Sequence, residues 1–132
     1  MTTTPPRTPG YSAAVLGTLT HAGLALALFG LLVWYVPPAK RTFDEYGLTL
    51  PLATQSVIRL SNWVAAYWWA LGPFLVFGAV GNFVLLRLLG REGRFGPLVW
   101  IAAGALLLGA AVALTVVTIE LPMTRLREAL AN

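Results

Sequence analysis

Apolar and polar positions segregate along this chain into long blocks, not into the alternation of a half-buried strand. Residues 12–36 (SAAVLGTLTHAGLALALFGLLVWYV) contain no Asp, Glu, Lys or Arg and end at Pro37-Pro38. Residues 62–89 (NWVAAYWWALGPFLVFGAVGNFVLLRLL) stay uncharged until Arg87, and residues 97–119 (PLVWIAAGALLLGAAVALTVVTI) are uncharged throughout. Each block exceeds the ~20 residues that a helix needs to cross a hydrocarbon core of ~30 Å. Membrane barrel strands alternate lipid-facing and lumen-facing residues, and these blocks do not. The pattern predicts an all-α integral membrane protein with three transmembrane helices, over about 12–36, 62–89 and 97–119.

The intervening segments are short. Residues 1–11 are rich in Pro and Thr, a composition that disfavours regular structure and predicts a flexible arm. Its weak basic start and the lack of a small-x-small site after the apolar run argue against a cleaved leader. Between the first two spans, Pro51 suits the first turn of a helix. Beyond it Leu52, Val57, Ile58 and Leu60 mix with Thr54, Gln55, Ser56 and Arg59. That mixture predicts a turn or two of interfacial helix. One straight helix from Leu52 to Leu89 would be about 57 Å long, so a bend is expected, with Gly72-Pro73 the natural place. Residues 121–132 read as a short polar tail.

Composition agrees with membrane residence. The chain is 58% hydrophobic and 11% charged, against about 25% charged in soluble domains. Mean hydropathy is +0.75. The net charge of +4 comes from nine Lys and Arg scattered along the sequence, which forms no basic stripe for a nucleic acid. Arg87, Arg91 and Arg94 crowd the turn between spans two and three, and a short basic loop marks the cytoplasmic side. The expected topology therefore has the N-terminus in the cytoplasm and the C-terminus outside. Trp34 and Tyr35 close the first span while Trp63, Trp68 and Trp69 open the second, as a ring of interface anchors. There is no cysteine.

One segment resembles a known family. Val36-Pro37, Phe43, Gly47, Leu50-Pro51, Thr54, Ser61 and Tyr67-Trp68-Trp69 occur in the order seen in the membrane hairpin of F-type platform proteins from type II secretion and type IV pilus systems. The resemblance covers residues 36–69 and implies a hairpin whose loop faces away from the cytoplasm. The cytoplasmic domains through which such proteins engage an assembly motor have no counterpart among these residues.

Candidate chemistry is sparse. His21 is the sole histidine and falls inside the first span, where an ionisable residue is a functional candidate. With Gly17 it weakly resembles the small-x-x-x-His pattern of light-harvesting antenna helices, which implies bacteriochlorophyll ligation, with haem as an alternative. The reading that needs no cofactor, and is preferred, pairs His21 with Asn82 at a matching depth. Gly78 and Asn82 on span two, and Ala105, Gly109 and Ala113 on span three, form small-residue ridges suited to helix packing, within the chain or against a foreign helix. No catalytic motif is present. The sequence thus predicts a non-catalytic accessory subunit of a larger bacterial inner-membrane complex, photosynthetic or respiratory, with other integral subunits and the bilayer as partners. A secretion or pilus platform and a pigment- or haem-binding subunit are the alternatives.

Overall fold

A computed structural model describes residues 11–93 and 95–131. The expected arm up to Gly10 and the expected anchor Arg94 lie outside the described residues. Among the described residues the chain is all-α. Three helical segments, Tyr11–Glu45, Trp68–Glu92 and Phe95–Ala131, are long and apolar enough to cross a membrane, as expected for a multi-pass membrane protein.

The first segment is α1 (Tyr11–Gly30), a π-helical turn (Leu31–Tyr35) and α2 (Val36–Glu45). It continues past the Pro37-Pro38 pair that was expected to end it. A proline inside an α-helix removes one N–H and presses its ring on the carbonyl four residues back. The π-helical turn resets the ladder just before the pair, so both prolines fall in the first turn of α2, where they are tolerated. After α2 the chain reverses at Gly47, whose φ of 60° lies in the left-handed region that glycine enters without penalty.

The interfacial helix is longer than expected: α3 covers Leu52–Ala66, and α4 covers Trp68–Glu92. The bend between them is at Tyr67 (φ −113°, ψ 20°), not at Gly72-Pro73. Its cause is visible in the burial pattern. Thr54, Ile58, Ser61 and Val64 form the buried face of α3, which stops at Val64, so nothing holds the α3 direction further. Pro73 is absorbed inside α4. The last helix, α5 (Phe95–Ala131), runs through Pro122 and takes in most of the segment expected as a short tail. Its 37 residues make it about 55 Å long.

Packing is concentrated at two ends. At one, Leu32, Val36, Ala39 and Phe43 meet Ile58 and Val64 of α3 and Ile119 of α5. At the other, beside the α4–α5 turn, Ala14 and Gly17 of α1 are buried with Leu86 of α4 and Pro97 of α5. Between the ends no described residue is buried in 18–31, 65–85 or 98–114. The molecule has a narrow, lipid-facing waist.

Candidate functional site

Two sites emerge from this arrangement, one at the α2–α3 end and one at the waist.

The first arises from prolines. In the π-helical turn, Val36 N–H bonds the Leu31 carbonyl, and Pro37, next along, has no N–H to offer Leu32. The Ser61 hydroxyl of α3 supplies it instead, at 2.5 Å from the Leu32 oxygen and fully buried. Pro122 likewise leaves the Thr118 carbonyl of α5 without its helical donor, and Thr54 Oγ1 donates to that oxygen at 2.8 Å. An unpaired carbonyl in a lipid environment is costly, and two hydroxyls of one helix remove both liabilities. Tyr35 adds a third link by donating from its phenol to Glu120 Oε1. Residues that carry the platform-hairpin resemblance build this junction. Val36, Phe43, Thr54 and Ser61 are its buried members, each at most 1% exposed, while Gly47 and Tyr67 make its turn and its bend.

The second site is a cleft of about 740 Å³ among α1, α4 and α5, lined almost wholly by carbon. Its polar groups gather at the end nearer the α4–α5 turn. His21 Nδ1 lies 3.3 Å from Asn82 Oδ1, and His21 Nε2 lies 3.3 Å from the Ile101 carbonyl oxygen. Trp100 Nε1–H donates to the same Asn82 Oδ1 at 2.9 Å, while Asn82 Nδ2 donates to Thr18 Oγ1 at 3.4 Å. Gly104 makes room for the imidazole: a Cβ there would stand 2.3 Å from His21 Nε2.

The space beside Gly17 and both nitrogen-bearing edges of the His21 ring are taken up by neighbouring groups. Gly17 offers no open face, because the side chains of Ile101 and Leu86 occupy the space a Cβ would take, at 2.6 and 2.8 Å. Both ring nitrogens of His21 are turned to protein oxygens. Among the described residues no three His, Asp or Glu side chains come together in a metal-binding group.

The small-residue ridges do not bring helices together within this chain at their glycines. Gly78 and Gly109 have nothing within 4 Å of an added Cβ, and Ala113 is exposed while Ala105 is half-buried. Gly78 lines the cleft. The close approaches are made by Gly17 and Gly104, and Gly104 was not singled out by the sequence. Of the interface anchors, Trp34 is 73% exposed, and Trp63, Trp68, Trp69, Arg87 and Arg91 are exposed as well. Tyr35 is instead drawn inward by Glu120. Sequence reasoning also missed the roles of Thr18, Trp100 and the two α3 hydroxyls. The hydroxyls had a signal: a proline in a helix implies an orphan carbonyl four or five residues earlier, which a hydroxyl on a packed neighbouring helix can answer.

Comparison with known proteins gives a partial match to the type II secretion system protein F of Pseudomonas aeruginosa, 43% identical over 72 residues. The match takes in 54% of this chain and 17% of that protein's length. No protein-family model and no solved structure matches the chain.

Proposed function

We propose that the protein is a non-catalytic subunit of a larger bacterial inner-membrane assembly of the secretion or pilus type, in which its α2–α3 end serves as a docking module. The observation that carries this reading is the 43% identity to a secretion-system F protein. Residues 36–69, which resemble platform hairpins, contribute the buried Val36, Phe43, Thr54 and Ser61 to the junction, so that resemblance falls on a built structural unit. A second observation points to assembly. Only 6–11% of the residues in the most apolar window of each spanning helix are buried within the chain. Nearly all of the lateral surface is left for lipid and other helices. The membrane orientation we propose puts the N-terminus and the Arg87–Arg91 turn in the cytoplasm and the junction outside.

The test is purification of the tagged chain from its native membranes in mild detergent, with identification of the chains that come with it. One stable complex containing pilin-like proteins or a secretion motor is expected, together with impaired export on deletion. Recovery as a free monomer in lipid, with export intact in the deletion strain, overturns the reading.

A further inference from the structure

With a neutral imidazole at His21, the polar end of the waist cleft is one hydrogen-bond donor out of balance. A neutral imidazole carries one N–H and one lone pair, yet both nitrogens of His21 face oxygens, Asn82 Oδ1 and the Ile101 carbonyl. Whichever tautomer forms, one nitrogen lone pair confronts an oxygen lone pair. Turning the Asn82 carboxamide over would cure this, since Nδ2 would then donate to His21 Nδ1 and Oδ1 would accept from the Thr18 hydroxyl. What prevents it is Trp100, whose indole N–H already points at Oδ1 and would meet a donor after the flip. If some other acceptor took the Trp100 N–H, every group in the cluster would be satisfied at once.

The cleft is shaped to bring such an acceptor. Thr18 and His21 precede Leu26 on α1, Trp100 precedes Leu108 on α5, and Asn82 follows Phe74 on the antiparallel α4, all of them lining residues. The polar residues therefore share one end, and the remaining walls are hydrocarbon. A volume of about 740 Å³ falls within the range of roughly 300–1,000 Å³ typical of small-molecule sites. No Asp, Glu, Lys or Arg lines it among the described residues, so a charged head finds no counter-ion. We propose that the cleft binds a free, uncharged, lipid-soluble carbonyl compound, a quinone- or ketone-headed amphiphile. Its carbonyl accepts from Trp100 Nε1–H, Asn82 turns toward His21 and Thr18, and the tail lies along Ala25, Phe74 and Leu108. A phospholipid ester is the wrong source for this carbonyl. Asn82 stands about 7.5 Å along α4 inside the interface anchor Arg87, below the rim of the hydrocarbon core where ester groups sit.

The experiment uses the full chain in nanodiscs with a photoreactive azido-ubiquinone analogue, followed by peptide mapping, with decylubiquinone as competitor. Saturable labelling of the cleft walls is expected, displaced by decylubiquinone and not by added diacyl phosphatidylglycerol. Gly78→Leu fills the cleft, and Gly78 has open space for a side chain, so this variant keeps the helix content and loses the labelling. Trp100→Phe keeps the cavity but removes the donor, and labelling weakens about threefold to tenfold. Labelling that survives Gly78→Leu, maps away from the cleft, is displaced by the phospholipid, or is unchanged in Trp100→Phe overturns the proposal, as does no saturable labelling of the wild-type chain.

Discussion

At the scale of single residues, the chain is governed by where backbone oxygens find hydrogen. Thr54 and Ser61 would count as ordinary polar positions on an amphipathic helix, yet each completes a helix other than its own. Thr54→Val leaves the Thr118 carbonyl orphaned, and we expect a loss of about 1–3 kcal/mol in unfolding measured in detergent. Pro122→Ala in the same chain restores a backbone N–H and should recover much of that loss. A double-mutant cycle reads the coupling directly, and additivity would refute the pairing. One crowded and one open glycine make a matching contrast. Gly104→Ala forces a methyl into the His21 ring, since the added carbon would lie 2.3 Å from Nε2, and should cost about 1–3 kcal/mol. Gly109→Ala, with open space around it, should lie within about 0.5 kcal/mol of the parent in the same assay. These contacts could not be read from the sequence. A glycine in a ridge and a glycine facing lipid look alike until the partner helix is known.

At the scale of elements, the existence and type of the three spans were legible because block hydrophobicity fixes them. Their ends were not. Pro37-Pro38 looks like a stop signal, and so it would be in a plain α-helix. The π-helical turn ahead of it, which no local pattern announces, lets the helix run on to Glu45. The third span likewise runs on past Pro122, because the orphan Thr118 carbonyl is answered from α3, a helix far away in sequence. The bend at Tyr67 follows from loss of packing after Val64 and not from the proline downstream. The reversal at Gly47 can be tested alone. Gly47→Ala should cost about 1 kcal/mol or more, because a Cβ opposes its φ of 60°, while Gly47→Asn should cost less. Thermal unfolding in one detergent would rank the three proteins.

At the scale of the whole molecule, an odd number of crossings sends the two ends to opposite faces of the bilayer. The chain has no native cysteine, so Ser12→Cys and Ala131→Cys report without background. An impermeant maleimide added to intact spheroplasts should label the second and spare the first. Equal labelling of both would remove the three-span topology. The candidate site was half legible at this scale. A lone intramembrane histidine drew attention to His21, and depth matching paired it with Asn82. Trp100 did not stand out, because the meeting of its indole with Asn82 depends on how α4 and α5 are rotated about their axes.

The two α3 hydroxyls also have a consequence for how the protein is made. Ser61 reaches back to Leu32, already synthesised, whereas Thr54 awaits an oxygen 64 residues further on. A nascent chain that has delivered only two spans to the translocon holds a Thr54 hydroxyl whose native acceptor has not yet been translated. Completion of the hairpin is thereby tied to arrival of the last span. A ribosome that stalls before Thr118 leaves behind a hairpin that lacks this link to α5.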